Sequence, residues 1–348
     1  MPSALPWRRA FGARSQIKDI MTHVSAERLF RENENVSPRK PPQRAMSPSV
    51  HHVNMYGLRV RSDIDLPGWP RITADDADVV IRKDPFDAAT FDAEQYWTRT
   101  LFEEGEVRLE IRGVAKFAAS GGTLIRVAPE PGAKPEDVQV FLTGALLGAV
   151  LHQRGIFPLH ASCVEIDGYG VAFAGHSGEG KSTLVASVVH RGAKFVSDDL
   201  CVMTPVTNGN AYVWPGAARV KLDDAGLALL NGARSGLDPV GGPRGKYLLP
   251  IHSPSDFQSP IPLKRVYQLV SADGPPRIER LAGLDAIGAL VDETSCLTYA
   301  AGLRLGSQVF RLAAELSRTL VVSRLIRPRG LEHMPAVLDL IERDARAG

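Results

Sequence analysis

The sequence predicts an α/β nucleotide-binding domain preceded by a small β-rich domain. The glycine-rich segment Gly175–Ser182 lies between a short apolar run and a helical stretch, which is the order found around a phosphate-binding loop. Two acidic residues, Asp198 and Asp199, end the next run of β-forming residues. Within residues 51–133, apolar and polar residues alternate in short segments such as 56–62, as is typical of half-buried antiparallel strands.

The 348 residues divide into three predicted parts. Residues 1–50 carry nine Lys or Arg against four acidic residues, so this head has a charge of +5 and leaves −3 for the rest of a chain whose net charge is +2. It also contains a Pro- and Arg-rich tract, residues 37–44, and we expect a disordered basic extension. Residues 51–133 form the β-rich domain. Residues 134–348 form the nucleotide domain. In this domain we expect a linker helix over 135–153, strands over 159–166 and 319–326, and a long surface loop over 239–262, which is rich in Gly, Pro and Ser.

Composition indicates a globular protein of a reducing compartment. Hydrophobic residues make up 44% of the chain and charged residues 23%. Three cysteines stand far apart without C-x-x-C spacing, which predicts reduced thiols: Cys163, Cys201 and Cys296. The N-terminus lacks the apolar core of a secretory signal, and the longest apolar stretch, 138–151, is too short to cross a bilayer. We expect a cytoplasmic protein without a membrane or nucleic-acid partner, with Met46 and Met55 as alternative start positions to Met1.

The glycine-rich segment matches the P-loop pattern G-x-x-x-x-G-K-[ST], whose backbone N–H groups surround the phosphates of a nucleotide. The apolar run 170–174 predicts a buried strand before it, and a helix is predicted from Lys181 to His190. Lys181 is placed to reach the β- and γ-phosphates, and the Ser182 hydroxyl is placed to ligate Mg²⁺. The alternative is a structural glycine-rich turn. The predicted nucleotide-binding residues are Gly175, Ser177, Gly178, Glu179, Gly180, Lys181, Ser182 and Thr183.

Phosphoryl transfer also requires a carboxylate ligand for the metal and, for a hydroxyl acceptor, a base. Asp198 and Asp199 are the candidates, because they follow Ser182 by sixteen and seventeen residues, the length of one helix and one strand. This spacing predicts that they lie at the carboxyl end of the strand beside the P-loop strand, where open α/β sheets bind ligands. One aspartate can face the metal while its neighbour faces the acceptor or the backbone. An Asp-rich turn with a capping role is the alternative.

Other polar residues are weaker candidates. His160 lies in the strand predicted to pair with the P-loop strand, where it would contact a phosphate or an aspartate, or else be a hydrogen-bonded core histidine. Four basic residues are candidates to stabilise a transferring phosphoryl group, although lone basic residues are usually solvated: Arg191, Arg219, Arg244 and Lys246.

Residues 159–203 resemble the HPr kinase/phosphorylase family. The catalytic domain of that family has a strand with a histidine, a G-x-S-G-x-G-K-S loop, a helix that ends in Arg-Gly and a strand that ends in Asp-Asp. The matching residues here are His160, Gly175–Ser182, Arg191-Gly192 and Asp198-Asp199. The family shares a P-loop architecture with the ATP-dependent phosphoenolpyruvate carboxykinases, and it phosphorylates a serine on a small phosphocarrier protein.

The resemblance implies an HPr-kinase- and phosphoenolpyruvate-carboxykinase-like nucleotide domain that uses ATP and Mg²⁺ and phosphorylates a serine of a protein or peptide. It implies that Asp198 is the base acting on the acceptor hydroxyl and that Asp199 lies in the metal and phosphate site with Ser182. Lys181 and His160 are the other catalytic residues expected. A homo-oligomer is compatible with the sequence.

Two sequence features modify this expectation. The family's Glu-x-Arg-Gly-Leu-Gly signature is missing, and Trp214–Arg219 stands in that region, which predicts a kinase without phosphorylase activity. In the N-terminal half, Tyr56-Gly57-Leu58 and Leu66-Pro67 look like the pattern of shorter HPr-kinase-related bacterial proteins, some of which accompany peptide-modification clusters. A peptide serine is therefore a plausible acceptor by analogy.

Three other functions fit a P-loop: an ATPase or GTPase switch without an acceptor, a nucleotide-sensing module and a small-molecule kinase. The chain has neither the guanine-reading N-K-x-D motif nor the L-S-G-G-Q motif of ABC-type ATPases. Nucleotide sensing without chemistry would not need Lys181, Ser182, Asp198 and Asp199 together. The residues therefore favour a kinase, and the small-molecule kinase stays open.

Overall fold

The computed structural model describes residues 50–84, 98–229, 237–240, 246–251 and 259–347. Within these ranges the chain forms two large β-sheets, a small third sheet and packed helices, so the predicted α/β class is confirmed. The predicted basic extension, apart from Val50, and the candidate Arg244 lie outside the described residues.

The first sheet comprises the predicted β-rich region in the order β1-β2-β3-β7-β6-β5-β4. As predicted, the later strands form an antiparallel meander, whereas β3 is parallel to both β2 and β7. The strand predicted over residues 56–62 begins later, because Tyr56 and Gly57 form the two-residue turn of the β1–β2 hairpin. The strands are β1 (His51–Met55), β2 (Leu58–Ser62), β3 (Val79–Lys83), β4 (Thr98–Glu103), β5 (Glu106–Ile111), β6 (Ala115–Ser120) and β7 (Leu124–Pro129).

The predicted linker helix is present over residues 135–153. It consists of α1 (Pro135–Phe141), a π-helical turn (Leu142–Leu146) and α2 (Leu147–Gln153). Pro135 suits the first turn, where its missing N–H has no helical partner. The buried side of this helix belongs to the same apolar cluster as the first sheet, and the cluster extends to Leu200 and Tyr299. The boundary between the two predicted domains stays a prediction.

The second sheet carries the glycine-rich loop. Its central strands β10, β17 and β19 are parallel, so their carboxyl ends lie at one edge. On the other side of β10 lies β9, its antiparallel hairpin partner, and then β11. The strands are β8 (Phe157–Leu159), β9 (Ala161–Ile166), β10 (Tyr169–Ala174), β11 (Lys194–Ser197), β12 (Cys201–Thr207), β13 (Asn210–Trp214), β17 (Ile261–Ser271), β18 (Arg277–Arg280) and β19 (Val321–Arg327).

Two predictions about this sheet were wrong. β11 is not beside the P-loop strand, because β9 folds back as a hairpin and pairs with both strands. The strand predicted over residues 159–166 is interrupted at His160, because β8 pairs with β12 while β9 pairs with β10 and β11. β11 still runs parallel to β10, so its carboxyl end reaches the predicted edge of the sheet.

A third sheet lies in part of the region predicted to be a long loop over residues 239–262. Among the described residues of that region, β16 pairs with both β14 and β15, and β17 begins at Ile261. The loop prediction was wrong there, because the Gly- and Pro-rich composition hid two short pairing segments. The strands are β14 (Arg219–Leu222), β15 (Asp238–Val240) and β16 (Lys246–Pro250).

Helices cover both faces of the second sheet. α3 and α8 pack with apolar residues of β10, β17 and β19 in one cluster, and α5, α6 and α7 belong to another cluster with other residues of the sheet. None of the helices in the described ranges is long and apolar enough to cross a bilayer. The three cysteines are buried free thiols. The remaining helices are α3 (Lys181–His190), α4 (Asp224–Leu229), α5 (Gly283–Asp292), α6 (Leu297–Gly302), α7 (Gly306–Leu316) and α8 (Met334–Arg346).

Candidate functional site

The glycine-rich loop joins the end of β10 to the start of α3, so the predicted strand, loop and helix are confirmed. Gly178 and Gly180 have φ angles of 91° and 78°, which side chains with a Cβ rarely adopt. The amides of the first turn of α3 have no acceptor within the helix, and the positive end of the helix dipole lies there. This end of α3 is therefore suited to an anion. Phosphate binding by the loop residues stays a prediction.

Lys181 is held inside the loop. Its Nζ donates hydrogen bonds to the carbonyl oxygens of Gly175 at 2.5 Å and His176 at 3.1 Å, and the residue is only 7% exposed. Burial lowers the pKa of the Lys181 ammonium group, while the nearby carboxylates, chiefly that of Asp199, raise it. The ammonium group thus lies against the backbone of the glycine-rich loop, and its predicted contact with phosphates stays a prediction. Thr183, also predicted to bind nucleotide, lies against α4, since a Cβ on Gly226 would be 3.2 Å from its Oγ1.

Asp198 is the centre of a hydrogen-bond cluster directly after β11. Its Oδ1 accepts hydrogen bonds from Ser182 Oγ at 2.9 Å and from Ser162 Oγ at 2.6 Å. Its Oδ2 accepts one from the backbone N–H of Lys221 at 2.9 Å. The sequence prediction paired Ser182 with Asp199 as metal ligands, whereas the structure brings Ser182 to Asp198. The catalytic roles of both aspartates stay predictions.

Asp199 differs from its neighbour in backbone and environment. Its φ of 72° lies in the left-handed region, which is uncommon for a residue other than glycine. Its side chain is 44% exposed, and Oδ2 forms a salt bridge with Nζ of Lys221 at 2.5 Å. Lys221 therefore contacts both aspartates, one through its backbone and one through its side chain.

The oxygen atoms of Ser182 and Asp198 fit Mg²⁺. Mg²⁺ prefers hard oxygen ligands and usually takes one or two protein ligands, with water and substrate phosphates completing its octahedron. Over the described ranges, no group of three or more His, Cys, Asp or Glu could hold a metal ion alone. A P-loop metal site does not need such a group.

His160 lies in the bend between β8 and β9, at the level of the glycine-rich loop. The next residue, Ala161, pairs with Ala174, which directly precedes Gly175. The backbone N–H of His160 donates to the carbonyl of Glu293 at 2.8 Å. The predicted catalytic role of His160 stays a prediction.

Arg327, at the end of β19, contacts the loop. Its Nη2 donates to the carbonyl of Glu179, and a Cβ on Gly180 would lie 3.1 Å from that nitrogen. Arg327 is 8% exposed, and its buried Nε has no hydrogen-bond partner among the described residues. The Glu179 carboxylate accepts hydrogen bonds from Ser271 Oγ at 2.6 Å and from Arg329 at 3.0 Å. Arg329 thus pairs with the Glu179 carboxylate, whereas Arg327 contacts the Glu179 backbone carbonyl. Two guanidinium groups lie beside one carboxylate here, which leaves an excess of positive charge beside the loop.

A third carboxylate lies near Lys181. Glu293, just after α5, is 4% exposed and accepts a hydrogen bond from Gln268 Nε2 at 3.2 Å. Gln268 pairs with the last residue of β10, which brings Glu293 to the edge that carries the loop. Burial raises the pKa of Glu293, while the Gln268 hydrogen bond and the positive charges of His176 and Lys181 lower it.

The basic candidates lie in different places. Arg191 follows the C-terminal end of α3, far from the loop, and pairs with Asp339 at 2.6 Å and Glu342 at 3.2 Å, so its predicted role was wrong. Arg219 packs near Gly68, which lies between β2 and β3. A Cβ added to Gly68 would lie 3.6 Å from the Arg219 side chain. Lys246 is close enough to lower the pKa of Lys181 by repulsion.

Four residues of this site were missed in the sequence: Ser162, Lys221, Arg327 and Glu293. The alternation of a strand could have indicated Ser162, two residues after His160. Arg327 follows a predicted strand, and its place at a carboxyl end could have indicated it. Lys221 and Glu293 carry no local signal, because only the tertiary fold brings them to the loop.

No family model matches the chain. Among curated proteins, the HPr kinase/phosphorylases of two strains of Treponema pallidum, Nichols being one, are each 34% identical to it over 76 residues. Over these 76 residues the chain is similar to the HPr kinase/phosphorylases. The match covers 21% of this chain and 24% of each relative, so it spans about a quarter of an HPr kinase/phosphorylase. The solved HPr(Ser) kinase/phosphatase of Coxiella burnetii aligns with a TM-score of 0.30 and 16% identity, covering 54% of this chain and 90% of that one.

Proposed function

We propose that this HPr-kinase-related protein is an ATP- and Mg²⁺-dependent kinase that phosphorylates a serine hydroxyl of a small protein or peptide. The observation that carries the proposal is the 2.9 Å contact between Ser182 of the P-loop and Asp198, with Asp199 next to it. A loop that only held phosphate would not need a carboxylate at the serine predicted to ligate Mg²⁺, with a second carboxylate next to it in the chain. Phosphoryl transfer needs both a metal ligand and a group that accepts the hydroxyl proton.

The residues in and around the glycine-rich loop have different roles in this proposal. Lys181 and the amides at the start of α3 hold the phosphates of ATP, and Arg327 adds positive charge beside Gly180. Ser182 and Asp198 would hold Mg²⁺, which would supply positive charge to neutralise the phosphates of ATP. His160 and Glu293 lie at the edge of the second sheet that carries the glycine-rich loop, and they would orient neighbouring side chains of the site.

The contacts support a different division between the aspartates from the one implied by the family resemblance. Both oxygens of Asp198 are already engaged, by Ser182, Ser162 and Lys221. A carboxylate bound in this way is suited to hold a metal beside Ser182. Asp199, whose side chain is 44% exposed, is the better candidate to accept the proton of an incoming hydroxyl. The reverse assignment, with Asp198 as the base, is the alternative.

The acceptor is proposed from the family relationship and not from a pocket. The curated relatives are named for HPr, which supports a protein acceptor for this chain as well. The region that would carry the phosphorylase signature reads Trp214–Arg219, which favours a kinase without the reverse reaction. A cytoplasmic location and self-association stay predictions.

The experiment is incubation of the full chain with γ-labelled ATP, Mg²⁺ and either a bacterial HPr protein or a library of serine-containing peptides. Label on a serine, lost when that serine is replaced by alanine, supports the kinase. Release of free phosphate without a labelled acceptor would identify an ATPase. Label on a small metabolite would identify a small-molecule kinase, and nucleotide binding without turnover a sensing module. The Lys181→Met variant serves as the background control.

A further inference from the structure

The turn between β1 and β2 contacts the backbone directly after the two aspartates. The hydroxyl of Tyr56 donates a hydrogen bond to the carbonyl of Leu200 at 3.2 Å, and the tyrosine is 6% exposed. Leu200 is the residue that follows Asp199. A residue of the first sheet therefore holds the chain at the point where it leaves the candidate site.

The turn is closely packed on the second sheet. Tyr56 and Gly57 have φ angles of 53° and 80°, as expected for a type I′ hairpin turn. A Cβ on Gly57 would lie 2.5 Å from the ring of Trp214, so the backbone of the turn rests on that ring. Trp214 ends β13 and pairs with Val202 of β12, the strand that follows the aspartates.

A second contact reaches the residue before the aspartates. A Cβ on Gly216 would lie 3.2 Å from the Tyr56 hydroxyl and 3.1 Å from Cβ of Ser197. The N–H of Gly216 also donates to the carbonyl of Val196 at 2.7 Å. Gly216 thus fills the space between the tyrosine and the residue before Asp198.

The hydroxyl of Tyr56 is kept as a donor. Burial raises its pKa, and the negative charges of Asp199 and Asp198 raise it further. The ring packs edge-on against Trp69 at a centroid distance of 4.9 Å, which limits its movement. The Tyr56 hydroxyl therefore stays protonated at physiological pH, and the packing of its ring gives it a defined position.

We propose that the β1–β2 turn is a positioning element of the phosphoryl-transfer site, and that Tyr56 holds the segment Asp198–Leu200 in its active conformation. A left-handed backbone at Asp199 persists only where surrounding contacts hold it, and Tyr56 provides such a contact one residue later. The N-terminal sheet is then part of the catalytic unit. This inference rests on the proposed kinase function and adds a role for the first sheet.

The test compares Tyr56→Phe, which removes one hydroxyl, with Tyr299→Phe. Tyr299 is a matched control, because it is 3% exposed, packs at 6.0 Å against Phe102 of the first sheet and has its hydroxyl hydrogen-bonded with Thr100 of that sheet. For Tyr56→Phe we expect faster amide hydrogen exchange in peptides covering residues 197–202 and a kcat lower by about tenfold, with the Kd for ATP changed less than twofold. Tyr299→Phe should leave all three unchanged.

A second variant, Gly216→Ala, places a methyl group between Tyr56 and Ser197 and should produce the same pattern. Faster exchange over the whole first sheet would indicate general destabilisation and contradict a positioning role. Unchanged exchange in residues 197–202, or an unchanged kcat in an active enzyme, would also overturn the inference. If the wild-type chain transfers no phosphate to any acceptor, the proposed kinase function fails, whereas the exchange result still decides whether Tyr56 holds the aspartate segment.

Discussion

Ser182 Oγ and Asp198 Oδ1 lie 2.9 Å apart, although the two residues are sixteen positions apart in the chain. The contact joins the start of α3, which follows β10, to the end of β11. The strands β10 and β11 are not neighbours in the sheet. Ser162, on the intervening strand β9, donates to the same oxygen at 2.6 Å. The hydroxyl of the P-loop serine and the carboxylate are therefore fixed relative to one another by three elements.

The first prediction concerns the two aspartates. Asp198→Asn should weaken the Mg²⁺-dependent part of ATP binding by about tenfold or more, because it removes a charged oxygen beside Ser182. Asp199→Asn should leave ATP binding within about threefold and reduce phosphate transfer by about 10²–10⁴-fold, as expected for loss of a general base. The measurements are ATP titrations with and without Mg²⁺, followed by single-turnover transfer.

The opposite pattern would reverse the assignment. If Asp198→Asn binds Mg²⁺ and ATP normally and loses only transfer, Asp198 is the base, as the family resemblance implies. Lys221→Met is an informative companion variant, because its backbone N–H still reaches Asp198 while its ammonium group no longer reaches Asp199. It should alter transfer more than ATP affinity.

The second prediction concerns Lys181, whose buried ammonium group has a lowered pKa because of desolvation. Lys181→Met removes a buried charge, so the apo protein should melt at the same temperature as the wild type or higher. The increase in Tm caused by ATP should disappear, because binding stabilises only the state that binds. Lys194→Met is the control, since that lysine is 57% exposed and pairs with Glu165. A normal ATP-induced shift in Lys181→Met would remove this lysine from nucleotide binding.

The third prediction separates two arginines beside the loop. Arg327→Met should raise the Kd for ATP about tenfold, because Arg327 is buried next to Gly180 and its Nε has no hydrogen-bond partner in the described part of the chain. Arg329→Met should change the Kd less than threefold, since its side chain is 75% exposed and screened by water. Both variants remove one positive charge, so the comparison tests position and not net charge. Equal increases in the Kd for ATP in the two variants would show that ATP affinity depends on the net charge beside the loop and not on the position of each arginine.

Local sequence signals predicted the elements of the site better than their arrangement. The bounds of α3, Lys181–His190, were predicted correctly, because the P-loop pattern marks its start and Arg191-Gly192 its end. The neighbour of β10 was predicted incorrectly, because strand order depends on which distant segments pair. The same limit applies to Arg327, which enters the site through the parallel pairing of β17 with β19. The alternating pattern predicted a strand that begins at Tyr56, because such a pattern does not show where a hairpin turn ends and its second strand begins.

The last prediction concerns stability in acid. His152 is 2% exposed, and its Nε2 donates to the carbonyl of Ser295 at 2.8 Å. Burial lowers the pKa of His152 from 6.5 to about 4. Between these values the unfolded chain binds a proton that the folded chain does not, so the free energy of unfolding should fall by about 3 kcal/mol from pH 7 to pH 4 because of this residue. Urea unfolding at several pH values measures this loss. His152→Gln, which cannot gain a proton, should have a correspondingly weaker pH dependence, and an identical pH profile in the two proteins would show that His152 is not the group responsible.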